Sequence, residues 1–397
     1  MKTAIIGGGA AGFFLAINLK EMFPEMEVTI FEKSRKVLSK VRISGGGRCN
    51  CTNTFKDITD LSHVYPRGYR LLKRLFNAFD HQDAYRWFEN HGVSLTVQED
   101  GCVFPSSQDS ETIINCFTHT ANRLGVEIQL ETKINSFEEL HGYDYIAVTT
   151  GGSPRIEGLN IYANTGHKIV SPVPSLFSFN IDDRQLCELM GTVIENVTAI
   201  IPSSKFRAQG TLLITHWGVS GPAILKLSSY AARFLNEQAY QSPLSINWAN
   251  KNDAETMNDI VRLASDNSHK IITNTHLENI SQRLWNYLIE KAIDKKCRLR
   301  WTDLSQKDIN RIVNTLCNDN YHINGRSTYK EEFVTCGGIS LSSINPTTLE
   351  SRCISNLFFA GEILDIDGIT GGFNFQAAWT TAYTVAQAIT NKGRHHH

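Results

Sequence analysis

Glycines at positions 7, 9 and 12 and a carboxylate at position 32 have the types and spacing of a site for a nucleotide diphosphate. In Ala4-Ile5-Ile6-Gly7-Gly8-Gly9-Ala10-Ala11-Gly12 a short apolar run enters a G-x-G-x-x-G turn, and Phe13-Phe14-Leu15-Ala16-Ile17 then opens a helix. Gly7 permits a tight turn, Gly9 the close approach of a pyrophosphate, and Gly12 the packing of helix on strand. The helix N-terminus adds unpaired N–H groups and a partial positive charge. Glu32 ends the next apolar strand, Val28-Thr29-Ile30-Phe31, at the place where an acidic side chain meets ribose hydroxyls.

A second glycine–acid element, Leu357-Phe358-Phe359-Ala360-Gly361-Glu362, lies near the other end of the chain. A simple nicotinamide dinucleotide enzyme does not need it. A flavin dinucleotide does, because ribityl and isoalloxazine extend well beyond the pyrophosphate. FAD is therefore the predicted cofactor, with Gly361 admitting the backbone and Glu362 accepting hydrogen bonds from ribityl hydroxyls. Ala11, Lys33, Ile134, Thr150 and Gly151 join the candidate cofactor-binding residues.

Three further motifs could act on the flavin or the substrate. In Val41–Asn50, the residues Ser44, Gly46, Gly47, Arg48 and Asn50 form a donor-rich glycine loop. Arg48 could pair with pyrophosphate or clamp the flavin, and Asn50 and Asn53 could bond the ring; a surface turn is the plain alternative. Asp365–Phe375 carries Gly371, Gly372, Phe373 and Asn374 into a C-terminal helix whose N-terminus would stabilise reduced, anionic flavin. Asp365 and Asp367 serve there as turn and cap residues or in function. In Thr215-His216-Trp217-Gly218-Val219-Ser220-Gly221-Pro222, His216 could donate a proton near neutral pH or only fix the turn. Cys49 and Cys336, beside glycine loops, are the other candidate donors, although Cys336 also reads as a small buried residue.

Parallel strands and their crossovers must position these groups. Residues 1 to about 50 read as two parallel strands and a crossover, 66–92 and 111–124 as helical, and Val126–Leu130 and Tyr145–Thr150 as strands. Between about 170 and 345 short β-like runs precede a helical block from Asp253 to about Asn318. The chain then returns to the flavin domain and a final helix, roughly Phe375 to Ile389. The division expected is a first part of an FAD domain at 1–170, an inserted β-rich region at 171–252 and 322–335, a helical subdomain at 253–321, and the second FAD part at 336–394. Residues 395–397 are read as a purification-tag remnant.

Composition is that of a soluble globular protein: 397 residues, 41% hydrophobic, 20% charged, net charge −1. That balance points to no polyanionic partner globally, while leaving a local patch open. Nine cysteines without a C-x-x-C pair predict free thiols in a reducing compartment and no metal site. No secretory signal or membrane span is seen, which predicts a cytoplasmic protein. No second G-x-G-x-x-G follows a strand, so NAD(P)H as reductant would bind transiently against the flavin face.

These motifs, with Val334-Thr335-Cys336-Gly337-Gly338-Ile339, resemble the BaiN/YhiN-type family of bacterial flavoproteins along nearly the whole chain. One departure is Ser343-Ile344-Asn345, where members often carry a Glu-Ile or Glu-Val-Asp stretch. The resemblance implies an α/β fold: a Rossmann-like, glutathione-reductase-type FAD domain with an inserted β-barrel-like domain and a small helical subdomain. It also implies a reductase acting on an unsaturated steroid intermediate or on a uridine of large-subunit ribosomal RNA. Both substrates take hydride at a β-carbon and then a proton. A flavin-dependent amine oxidase and a non-catalytic flavin- or RNA-binding module are the competing readings. For RNA, the stretch Arg283–Arg300, with Lys291, Lys295, Lys296 and Arg298 near Trp285, Tyr287 and Trp301, forms a candidate basic-aromatic surface, against a solvated helix face. Oligomeric state is not encoded in any of these motifs.

Overall fold

The computed structural model of the chain describes residues 1–327 and 334–395. His396 and His397 of the presumed tag, and residues 328–333 of the expected β-rich segment, lie outside the described residues. The chain divides into two compact units, Met1–Pro174 with Lys330–His397, and Ser175–Tyr329.

The first unit is built on five parallel strands in the order Leu357–Phe359, Tyr145–Val148, Lys2–Ile6, Glu27–Phe31, Glu127–Gln129. Ile5 pairs in register with Ile30 on one side and Ala147 on the other. Lys2–Ile6 and Glu27–Phe31 are buried beyond their first residue and mostly apolar there, with Thr3 and Thr29 the exceptions, as parallel strands covered on both faces must be. The helix Ala10–Met22 is buried continuously from Ala11 to Leu19, so it needs cover all round. The C-terminal helix Phe373–His395 supplies part of that cover: Phe14 lies 5.1 Å from Trp379 and 5.4 Å from Phe79 between ring centroids, with Phe117 beyond. Trp379 donates its indole N–H to the Cys51 carbonyl at 2.8 Å, and Thr380 donates to Phe79.

The 66–92 segment differs from a single helix. It forms two, Tyr69–Leu75 and His81–Asn90. Asp80 breaks the run by accepting N–H bonds from Gln82 and Asp83, while Asp83 reaches back to the Asp80 N–H. That reciprocal cap starts a new helix rather than continuing the old one.

The second unit holds a closed six-stranded barrel. Its order is Val193–Ile200, Arg207–Thr215, Gly218–Ser220, Phe179–Ile181, Asp319–Arg326, Gln241–Asn247, and the last strand pairs with the first. Closure leaves no open sheet edge. The helical block comprises Asp253–Asp266, Gln282–Ile293 and Gln306–Cys317, the first and last started by capping boxes at Asn252/Glu255 and Ser305/Asp308. Pro222 opens its helix as expected. Among the described residues no helix is long and apolar enough to cross a membrane.

Candidate functional site

The glycine turn has the geometry its spacing predicts. Gly7 has φ +114°, and a Cβ there would lie 2.6 Å from the Thr149 carbonyl oxygen. A Cβ on Gly12 would come within 2.1 Å of the Gly7 oxygen, so only glycine lets the helix sit this close to the strand. At Gly9 the result is opposite: nothing lies within 4 Å of an added Cβ. This open space faces a helix end that has no side-chain cap and no acidic residue in its first turn. An anion would therefore meet uncapped helix N–H groups and no carboxylate from the helix's own first turn.

Beside the turn lies a cavity of about 560 Å³ lined by Gly7, Glu32, Lys33, Ile134, Thr150, Gly151 and Tyr162, among others. Five of the predicted positions other than Gly7 thus share one wall-to-wall space. Glu32 is fixed at its mouth: Oε2 accepts the Gly8 N–H at 2.9 Å and Oε1 the Ser34 N–H at 2.8 Å. Each oxygen keeps lone-pair capacity for a ribose hydroxyl. Tyr162 carries no sequence signal that would have singled it out. Burial pushes its phenol up to about 12, opposed by a hydrogen bond with Thr150, so it stays a neutral donor against the cavity.

The second glycine–acid element meets the first. A Cβ on Gly361 would touch the Ala11 methyl at 3.0 Å, and the Gly361 N–H donates to Thr381 at 2.9 Å. Glu362 accepts from Lys40 Nζ at 2.7 Å and from the Thr335 N–H at 2.8 Å, and lies beside Gly151-Gly152. Lys40 is a partner that sequence reasoning missed, because the pair spans more than three hundred positions.

The Ser44–Asn53 loop is polar but largely self-engaged. The helix from Ser39 gives way at Ser44, and Gly45, Gly46 and Gly47 are all left-handed. Ser44 Oγ donates to the Val41 carbonyl. Arg48 donates to the Gly45 carbonyl and lies 4.2 Å from the Phe104 ring centroid. Asn50 differs: its Oδ1 is buried with no hydrogen-bond partner, next to Gly372. Gly46 and Gly47 border open space.

At the C-terminal loop the glycines face protein. A Cβ on Gly372 would lie 2.3 Å from the Thr52 carbonyl oxygen, and one on Gly371 would lie 2.9 Å from the Phe373 ring. Asn53 donates to the Gly371 carbonyl at 3.0 Å, and Asn374 closes the loop on Gly368 through both amide atoms at 2.8 and 2.9 Å. Tyr65 donates to the Phe373 carbonyl. Asp367, fully buried, forms a two-pronged ion pair with Arg67, whose side chain is 16% exposed. Burial opposes the Arg67 charge, and the Asp367 carboxylate outweighs it, leaving the guanidinium pKa raised.

Of the predicted proton donors, Cys49 and Cys336 are fully buried. His216 is exposed, edge-on to Trp217 at 4.4 Å in the turn between two barrel strands of the second unit. The basic-aromatic reading of Arg283–Arg300 needs correction: Trp285, Tyr287 and Trp301 are core residues. Lys291 is paired with Asp319, Lys296 with Asp308, and Arg283 with the Glu188 carbonyl.

Three curated proteins are similar to this chain over almost their full length. A ribosomal RNA dihydrouridine synthase of Haemophilus influenzae is 27% identical over 98% of this chain and 99% of its own. One of the same name from Escherichia coli is 27% identical over 97% of each. A 3-dehydro-bile acid delta(4,6)-reductase of Clostridium scindens is 23% identical over 98% and 99%. The HI0933-like protein Rossmann domain matches residues 1–388, and the chain belongs to that family.

Proposed function

We propose that this protein is an FAD-dependent reductase that saturates an activated C=C bond, with a uridine of large-subunit ribosomal RNA as substrate and NAD(P)H as reductant. The observation that carries the cofactor is the cavity lined by Glu32, Thr150-Gly151 and Gly7 of the glycine turn, a turn in which Gly9 is unobstructed. Glu32, Lys33 and Thr150-Gly151 would hold adenine and ribose, the uncapped helix end after Gly9 would hold the diphosphate, and Gly361-Glu362 would hold the ribityl chain. The buried, unpartnered Asn50 Oδ1 is a ready acceptor for the N–H edge of a flavin ring. When bound, the flavin supplies hydride at N5.

The chain's own residues do the rest. Glu32 orients the ribose, Lys40 holds the Glu362 carboxylate in place, and the Arg67–Asp367 pair fixes the loop that opens the C-terminal helix. The hydride goes to uracil C6 and a proton to C5. A uridine substrate is supported by the names of two relatives that cover nearly the whole chain.

Deleting the gene and measuring dihydrouridine in ribosomal RNA tests the reading. Loss of the modification, restored by the wild-type gene, is expected. Intact dihydrouridine in the deletion strain overturns the uridine assignment, and reduction of a steroid enone by the purified protein would then favour the chemistry named for the Clostridium scindens relative.

A further inference from the structure

Between Asp60 and Asp80 the chain has no acidic residue and carries His63, Arg67, Arg70, Lys73 and Arg74. The two bounding carboxylates are both engaged as caps, Asp60 on the Ser62 N–H and Asp80 on Gln82 and Asp83. Hydrogen bonds from Ser62 hold the Asp60 carboxyl low, helped by the positive charges of His63 and Lys73. In the helix Tyr69–Leu75, Leu71, Leu72 and Leu75 are buried, while Arg70, Lys73 and Arg74 are exposed. Spacings of three and four residues put the three cations on one face. Arg70 Nε donates to the Tyr69 hydroxyl at 3.1 Å, leaving the rest of its fork available beside a half-exposed aromatic ring.

This helix is joined to the loop that opens the C-terminal helix. Its N-terminal Gly68 has φ +81° and sits so close to Ile366 that a Cβ would lie 2.6 Å from the side chain. Arg67 bridges Asp367 through the backbone and through its guanidinium. The three cations are therefore held in a fixed relation to the loop carrying Gly371 and Gly372.

We infer that the Arg70/Lys73/Arg74 face docks the phosphodiester backbone of the RNA substrate. The inference rests on the RNA reading above. Three like charges on one face, whose nearby carboxylate Asp60 is already engaged as a cap, are suited to a polyanion, and the tie through Asp367 converts phosphate binding into placement of a base at the site. The Lys295/Arg298/Arg300 cluster of the second unit lacks that tie, and the aromatic rings near it are buried.

The test uses a fluorescent 30-nucleotide RNA hairpin with a uridine-rich loop and flavin-loaded protein, titrated across salt concentrations. Wild type is compared with Arg70→Ala/Lys73→Ala/Arg74→Ala and with Lys295→Ala/Arg298→Ala/Arg300→Ala. All six positions are exposed and tolerate alanine in or near helices, so melting temperature and flavin content serve as fold controls. The first variant should lose at least about tenfold in affinity at moderate salt, and its log–log salt slope should shrink by about 2, since each single-strand phosphate contact contributes about 0.7. The second should match wild type. Wild-type affinity and slope in the first variant, or the loss appearing in the second instead, overturns the inference and leaves the reductase untouched. A wild type that binds no RNA, even at low salt, sinks the RNA reading and this surface with it.

Discussion

Both ends of the chain bring a glycine-rich turn to the mouth of a helix, yet the two turns use glycine differently. In the N-terminal turn Gly7 and Gly12 let protein pack on protein, while Gly9 borders empty space. In the C-terminal turn neither central glycine borders space: Gly372 abuts the Thr52 backbone and Gly371 the Phe373 ring. A glycine at a helix N-terminus is thus not by itself a mark of a ligand. What separates the cases is whether the volume of the missing Cβ is already filled.

The largest effect should follow from cutting the tie beneath the C-terminal turn. Asp367→Ala leaves the Arg67 guanidinium without its buried partner, which costs about 3–5 kcal/mol, read as a lower melting temperature with or without flavin. A wild-type melt would show that the pair does not hold the loop. Next comes Gly372→Ala, with about 3 kcal/mol lost to overpacking against Thr52 and to a left-handed backbone at φ +88°. If that loss occurs only in the flavin-loaded protein, the contrast between the turns disappears.

Gly9→Ala should behave in the opposite way. Its backbone, at φ −93°, accepts a side chain, so the apoprotein should melt within about 0.5 kcal/mol of wild type while flavin content falls sharply. Retained flavin would remove the diphosphate from this turn. The smallest effect belongs to Glu32→Gln. It keeps an acceptor for Gly8 or Ser34 but loses the charge toward ribose, and should weaken FAD by about 1–3 kcal/mol, below the loss in Glu32→Ala. Equal losses would mean that Glu32 acts on the loop alone.

The N-terminal half of the site was legible because its rules are local. Strand, turn, helix and acid follow one another within a few dozen residues, and backbone geometry at each glycine answers to its immediate neighbours. Two of the barrel strands were legible as short β-like runs around Leu212–Thr215 and Leu244–Trp248, but closure was not read from the residues, because Val193–Ile200 meets Gln241–Asn247 through pairing that no short window contains. Lys40–Glu362 and Arg67–Asp367 escaped for the same reason. Other misses were readable. Asp80-x-x-Asp83 is a helix-start pattern in the middle of a stretch read as one helix. Trp285, at helical spacing with Leu284 and Leu288, belongs with their buried side rather than on a surface for RNA.

The sheet order has a consequence for biosynthesis. The strand Tyr145–Val148 waits for Leu357–Phe359, and the first helix waits for Phe373–His395, while the whole second unit is synthesised in between. At about 5–20 residues per second, that interval lasts roughly ten to forty seconds. Throughout it the nascent chain exposes an unpaired strand edge and the apolar side of a helix built to be buried. Chaperone demand should therefore fall on the first half of the polypeptide. Ribosomes that stop before residue 357 would release chains that aggregate, even though the glycine turn they carry is complete.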